Sequence, residues 1–515
     1  LGGQWLTWLG ILAIFFGTAF FLAYDLRGSA LAGTGQVLVG LMVGALFIVG
    51  GRTLAPRLGA FLARGLLGGG VGLLYLSAYA AHAFHQLVPA LVVFPFLLGV
   101  AIVGTMLALG ENSLMVAALT QTGALLTPYF LPAARGQDPT PLFAYLAAVN
   151  LGSVLVARQR RWPVLPLTGF FGTALLILWW WARSYTVDLR VITAFGVAVI
   201  WLLQAVAPLT AAQATRWWGV ARALVLVANG FLFELALYDL LRPGFHPLRG
   251  LATALLSLLY VAMARAFANR LAAGVDDAAV RMTRLTGLGL AALAIPIQFD
   301  LTAVTLGWSI LALVLLYGGF RSSGLGERLL AYLVLLLAVG HALLWDSLTA
   351  LQDLSTYRPW LNGNFLVGMV SAGALGFAAH LISRRRAMLT RFERHLVTPL
   401  VLVAGIVLLV RITVETIAGF EIRASLTRGD LDLAMLLTLS LIWAVYAGLL
   451  ILGGFVFRYR PIRFLGIAVL ALLIVKVFIF DLQELDRGYR IASFVGVGLL
   501  LLMISILYQR ERKTA

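Results

Sequence analysis

Apolar stretches of membrane-crossing length alternate with short polar turns along almost the whole chain. A membrane helix needs about 20 mostly apolar residues, and a sliding count of such windows predicts about 18 crossings. The predicted spans are 5–24, 31–51, 61–81, 87–109, 112–131, 140–157, 163–182, 191–210, 218–238, 250–268, 285–298, 302–320, 328–345, 362–382, 397–417, 432–453, 463–480 and 491–508. The window at 285–298 is short and contains Pro296, which makes it the weakest crossing. Losing one helix reverses the side of every later loop, so the charge distribution also tests the count.

The pattern is clearest at 463–512. A basic edge (Arg458, Arg460, Arg463) leads into an apolar run interrupted only by Lys476, which stops at Phe480-Asp481-Leu482. A charged turn follows, and the chain returns through 491–508 to a basic end. Tyr24-Asp25-Leu26, Tyr238-Asp239-Leu240, Phe299-Asp300-Leu301 and Trp345-Asp346 mark the far ends of similar hairpins. An interfacial aromatic followed by a turn-starting Asp explains each stop. Segments 5–51, 284–321, 327–384 and 463–512 read as copies of one αα-hairpin. Internal repeats are common in secondary transporters, whose sites lie where repeats meet; a repeated scaffold without transport is equally compatible. The expected architecture is an all-α integral membrane protein, 1–515 forming a single polytopic domain with 463–512 as its C-terminal hairpin unit.

Composition agrees: of 515 residues 62% are hydrophobic and 11% charged, where soluble domains carry about a quarter charged residues. The longest polar stretches, Arg265–Arg284 and Arg384–His395, are too short for a soluble domain. The net charge of +17 does not point to nucleic acid. Its arginines sit in short clusters between apolar runs, most of them at the two chain ends and after even-numbered helices, while Asp and Glu favour the odd loops. The positive-inside rule then predicts both termini in the cytoplasm and the aromatic-Asp stops outside, in a bacterial cytoplasmic (inner) membrane. Membrane lipids are the expected partners, with anionic headgroups at the Arg-rich loops. The chain has no cysteine, which excludes disulfides and thiolate chemistry. Its two lysines, Lys476 and Lys513, lie outside any Gly-rich loop, which argues against a P-loop ATPase. No cofactor is expected. The first apolar run starts at Trp5 without a basic n-region or cleavage site, as a first membrane helix does and a signal peptide does not.

Three stretches carry a family resemblance. They are Gly68-Gly69-Gly70-Val71-Gly72-Leu73-Leu74-Tyr75-Leu76-Ser77-Ala78-Tyr79-Ala80-Ala81; Leu126-Thr127-Pro128; and Lys476 through Phe480-Asp481-Leu482 to Arg490, Ser493-Phe494 and Tyr508-Gln509-Arg510. Together they resemble the bacterial predicted membrane proteins catalogued as domain of unknown function 2339, from the first helix to the last. The resemblance implies the architecture and carries no activity. Members often bear a coiled-coil segment before the first helix, so it also implies an N-terminal truncation here.

Ionisable residues inside apolar helices are functional candidates by default. Arg411 and Glu415 lie four apart on one helix face and can pair, either as a structural lock or as a substrate or proton site. Lys476 and Asp481, five apart, do not face each other; Lys476 either snorkels to the interface or meets a lipid phosphate or a carboxylate of another helix. Glu234, on a helix with Arg222 and Asn229, lies about one turn inside the outer boundary and is the best single carboxylate for proton or cation binding. Arg222, near the other end, is placed to snorkel. Asp25, Asp239, Asp300 and Asp346 are the outer-face acidic stops. His82 and His85 make a metal pair only if a carboxylate such as Asp25 joins them, and no metal site is expected. His341 is either a buried general base or a histidine bonded to a neighbouring helix. The Gly68–Gly72 run permits close helix approach or a helix break, and Thr120-Gln121-Thr122-Gly123 with Thr127-Pro128 is the other place where a helix can unwind.

Three functions fit. The first is a transporter or flippase of a small amphiphile, lipid or lipid-linked intermediate. The second is a membrane-embedded transferase using a lipid-linked donor at the outer face. The third is a structural or assembly protein of the cell envelope. An enzyme is the less expected class. A cavity lined by the buried charges favours the first, converging aspartates the second, and a filled core with every charge paired the third.

Overall fold

In lipid every backbone N–H and C=O must find its partner inside the chain, so apolar runs of this length form helices. A computed structural model describes residues 13–14, 17–18, 20–22, 33–53, 59–130, 138–160, 162, 164–210, 216–242, 244–270, 277–349, 358–427 and 431–477. The described residues form helices and no strands: α1 Thr34–Thr53, α2 Ala60–Ala83, α3 Ala90–Gly110, α4 Leu114–Phe130, α5 Thr140–Gln159, α6 Val164–Ser184, α7 Arg190–Thr210, α8 Arg216–Leu240, α9 Arg249–Arg270, α10 Asp277–Gln298, α11 Leu301–Arg321, α12 Leu325–Gly340, α13 Gly363–Arg384, α14 Val397–Thr427, α15 Asp432–Val456 and α16 Arg460–Lys476. Among them 13 are long and apolar enough to cross a membrane. The protein is an all-α, multi-pass membrane protein.

Over the described residues, the windows at 31–51 through 463–480 each fall on one helix. The weakest, at 285–298, is a full helix that begins earlier, at Asp277. The window at 397–417 extends to Thr427, giving 31 residues. The predicted helix at 5–24 is described only in fragments, and that at 491–508 lies outside the described residues.

The chain divides into two compact units, Leu1–Ala294 and Ile295–Ala515. In the first, α1 packs on α2 through facing glycines. A Cβ at Gly70 would lie 2.7 Å from the Gly44 carbonyl, and one at Gly44 would lie 3.2 Å from that of Gly70. Because α2 runs unbroken through Gly68–Gly72, the glycine run serves close approach. The polar run in α4 likewise stays helical: Gln121 donates to the Leu165 carbonyl at 2.9 Å, and Tyr145 donates to that of Ala124 at 2.9 Å. Leu142, Phe143, Leu146, Trp180, Val197 and Ile200 form the buried cluster joining α5, α6 and α7.

The second unit is built from hairpins α11–α12, α13–α14 and α15–α16. Two of them turn the same way. Gly319 and Gly454 each sit where a Cβ would collide with an arginine nine positions later, Arg328 and Arg463. The guanidiniums lie over Phe320 and Phe455, at 5.5 and 4.8 Å from the ring centroids. The fourth residue after each glycine, Ser323 or Arg458, has positive φ. Gly324 N–H bonds the Gly319 carbonyl and Tyr459 N–H that of Gly454. The two turns thus share their register of glycine, aromatic, turn and arginine, and they fall at the basic edges between 284–321 and 327–384 and before 463–512 rather than at the far ends of those segments.

At its far end α12 does not stop at Trp345-Asp346. It passes through a π-helical turn, His341–Trp345, and continues as Asp346–Thr349. Asp346 is fully buried, not the outer-face stop that the sequence suggests.

Candidate functional site

An apolar groove in the first unit opens between α6, α7 and α8. It encloses about 440 Å³. Its walls are Ile177, Leu178, Val197, Ile200, Phe233 and Leu235, among others, and its polar lining gathers at two levels. The deep level holds Thr173, Gln204 and Asn229. Helical periodicity places these three inward on separate helices, and Asn150 ties two of them together. Asn150 donates to Thr173 Oγ1 at 3.0 Å, and Gln204 Nε2 donates to Asn150 Oδ1 at 3.1 Å. Asn229 donates to the Trp201 carbonyl at 3.0 Å, and Trp201 Nε1 to the Tyr260 hydroxyl at 2.9 Å. With these bonds made, the deep level is a fixed polar floor.

The second level is the mouth, at the C-terminal ends of α6 and α8, lined by Trp181, Tyr238, Asp239 and Arg242. Trp181 Nε1 donates to Asp239 Oδ2 at 3.0 Å, and its ring stacks on Tyr185. Arg249 lies over Tyr238 at 4.4 Å and Arg190 over Phe245 at 5.4 Å. Such aromatic and cationic belts mark the membrane–water boundary. From Asn229 to Asp239 is ten residues, about 15 Å of helix, or half of a hydrocarbon core about 30 Å thick. The groove therefore offers one apolar slot of single-leaflet depth with a polar group at each end.

Glu234 does not line this groove. It is 3% exposed and takes a 2.6 Å hydrogen bond from Thr253 of α9; its Oε2 makes no hydrogen bond. Arg222, expected to snorkel, is buried at 2% exposure. A second recess, about 340 Å³ between α9 and α10, is lined by Arg265, Arg281 and Arg284.

The second unit brings together charges that the sequence left apart. Arg411 of α14 reaches Asp346, Nη2 to Oδ2 at 3.5 Å, and donates to the Ala342 carbonyl in the π turn at 2.5 Å. Thr305 of α11 donates to Asp346 Oδ2 at 2.8 Å and lies 2.8 Å from His341 Nδ1. Gly368 of α13 makes room for the Arg411 stem, which a Cβ there would overlap. Glu415, one turn from Arg411, accepts from Asn362 Nδ2 at 2.8 Å and from the Trp360 N–H at 2.8 Å, tying down the start of α13.

Lys476 does not snorkel outward but donates across to α15, to the Leu436 carbonyl at 3.0 Å and Ser440 Oγ at 2.8 Å. Asp300 is exposed at the turn before α11, and Asp239 is held by Trp181. His82 bonds the Val88 carbonyl and His85 that of Leu22. Asp25 and Asp481 lie outside the described residues. Among the described residues no three His, Asp or Glu side chains converge as a metal site requires.

One buried pair escaped the sequence reading. Arg328 grips Glu393 with Nε–Oε1 at 2.7 Å and Nη2–Oε2 at 3.3 Å, and Tyr332 adds a third bond. Glu393 closes a capping box with Thr390, and that Thr-x-x-Glu spacing was its available signal. Thr173, Gln204 and Arg242 also went unnoticed, since none is unusual alone.

A family model described as "Predicted membrane protein (DUF2339)" matches residues 2–414 and 329–511. No curated protein and no solved structure matches the chain.

Proposed function

Because the chain belongs to this family of predicted membrane proteins, we propose that it binds and moves a small amphiphile, a lipid or a lipid-linked intermediate, in a bacterial cytoplasmic membrane with both termini inside. The observation that carries this reading is the α6–α7–α8 groove, apolar along about 15 Å and polar at both ends. One acyl or isoprenoid chain fits such a slot, with its headgroup among Trp181, Asp239 and Arg242. The Arg265–Arg281–Arg284 recess suits an anionic headgroup, since clustered basic side chains at a membrane edge attract anionic lipid.

The test is lipid retention and movement. Protein purified in mild detergent is analysed by native mass spectrometry for retained lipid, then reconstituted in phosphatidylglycerol-containing vesicles with a fluorescent phospholipid whose transbilayer exchange is followed by dithionite quenching. Ala236→Trp, which fills the groove, is expected to abolish both retention and exchange. Equal retention and no exchange in either protein would remove the proposal.

A second reading, an envelope scaffold, has its own supporting observation. Arg328, Glu393, Asp346, Arg411, Glu415 and Lys476 all engage protein partners, as charges that lock helices do.

A further inference from the structure

The contacts around Asp346 fix a proton inventory. A threonine hydroxyl has one hydrogen, and an ionised carboxylate only accepts. Thr305 gives its hydrogen to Asp346 Oδ2, so at its 2.8 Å contact with His341 Nδ1 the imidazole must be the donor. Neutral His341 is therefore the Nδ1–H tautomer, and Nε2 is the atom left to take up a proton. Asp346 Oδ1 makes no hydrogen bond and faces His341 Nδ1 at 3.3 Å. The carboxylate is thus shared between the imidazole edge on one side and Thr305 and Arg411 on the other. Asp346 is buried, whereas the His341 side chain keeps 19% exposure, so the ring and not the carboxylate reaches the surface.

We propose that His341, Asp346 and Arg411 form a proton-binding site, with Nε2 of His341 as the acceptor. On uptake one N–H bond forms at Nε2, the proton coming from water, and the imidazolium pairs with Asp346 through Nδ1–H. Two cations then compete for one carboxylate. Arg411 is the one with an alternative partner, because Glu415 lies one turn away on the same helix face. Moving toward Glu415 takes Arg411 Nη2 off the Ala342 carbonyl, the group it holds inside the π turn. Single π turns inside α-helices recur at functional sites, and Ser347 Oγ donates to the same Ala342 carbonyl at 3.1 Å. Proton binding at His341 is in this way linked to the shape of α12 and, through Glu415 and Asn362, to the start of α13.

Among the described residues, the surroundings are otherwise poor in charge. Of the elements packed on the π turn, α11 brings Thr305 and Trp308, with exposed Asp300 one turn nearer its start; α13 brings Gly368 and Ser371; α14 brings Arg411 and Glu415. The site goes beyond the groove reading and does not depend on it, since it lies wholly in the second unit.

Trp308 supplies a reporter. Its ring meets that of His341 edge-on, with centroids 6.0 Å apart, and an imidazolium quenches indole emission more strongly than neutral imidazole. Tryptophan emission of the protein in lipid nanodiscs is titrated between about pH 5 and pH 8, and the Trp308 component is taken as wild type minus Trp308→Phe. The expected result is a quench on acidification that follows a single proton, disappears in His341→Gln, and changes its course in Asp346→Asn, which removes the carboxylate that the imidazolium pairs with. Should Asp346→Asn not fold, Thr305→Val carries the same expectation. In parallel, 15N-histidine NMR, with only six histidines to resolve, is expected to show an Nδ1–H tautomer at high pH that is missing from His341→Gln. A Trp308 component flat across the range, a quench that persists in His341→Gln, or an Nε2–H tautomer would overturn the proposal.

Discussion

Arg328 and Glu393 hold each other through two parallel hydrogen bonds, 2.7 and 3.3 Å long, with side-chain exposures of 4% and 0%. The pair links the start of α12 to the short helix Arg391–His395 before α14, outside the membrane-spanning segments on the Glu393 side. Burial raises the Glu393 carboxyl, but hydrogen bonds from Arg328 and Thr390 outweigh it, so the group lies below the usual glutamate range.

A depressed carboxylate stabilises the fold above its unfolded pKa, and that contribution is lost as pH falls through the folded value. The melting temperature is therefore expected to drop as pH falls from the ordinary glutamate value, 4.5, through the lower folded one. Glu393→Gln removes this acid-limb dependence. At neutral pH Arg328→Gln is expected to cost on the order of 3 kcal/mol, because it leaves a carboxylate buried without its cation. Thermal melts of both variants across pH check this. An acid limb unchanged in Glu393→Gln would exclude Glu393 as its source.

Gly368 and Gly373 share α13 and give opposite expectations. A Cβ at Gly368 overlaps Arg411, whereas nothing lies within 4 Å of one at Gly373. Gly373→Ala is expected to be neutral or to stabilise by up to about 1 kcal/mol. Gly368→Ala displaces the arginine that serves Asp346, and a fall of several degrees in melting temperature is expected. Equal melts for the two variants would contradict the packing described around Arg411.

Lys476 bonds helix to helix, so its removal is a packing change. Lys476→Met is expected to destabilise by about 1 kcal/mol, the net worth of a hydrogen bond, and to leave retained lipid unchanged. Native mass spectra of the variant settle the point; lost lipid would return Lys476 to the list of headgroup ligands.

Orientation has a direct probe, since the chain contains no cysteine. His246 and Arg385 are both exposed, and the charge distribution puts them on opposite sides. In intact cells His246→Cys is expected to react with an impermeant maleimide and Arg385→Cys only after permeabilisation. The reverse pattern would invert the proposed topology.

The helices were legible because lipid leaves an apolar run no other option. The partners of buried charges were not, and the three aromatic-Asp pairs among the described residues show why. Tyr238-Asp239 ends a helix within one residue, and Phe299-Asp300 forms a turn. Trp345-Asp346 has the same local chemistry, yet the helix continues. Arg411 and Thr305, distant in sequence, supply the cation and the donor that let a carboxylate be buried. The groove was hidden for a related reason: Thr173, Gln204 and Asn229 become a polar floor only when three helices meet. Arg411 and Glu415 did fall on one face, but each is engaged with another segment, Arg411 with Asp346 and Ala342 and Glu415 with Trp360 and Asn362.

The shared register of Gly319 with Arg328 and of Gly454 with Arg463 bears on how such a chain can lengthen. Each pair closes its own turn, with the arginine of the returning helix seated on the glycine and aromatic of the outgoing one. A duplicated hairpin arrives with its closure already encoded and, because it adds two crossings, preserves the parity of every loop downstream. Inserting a single helix would bring no closure and would invert all that follows.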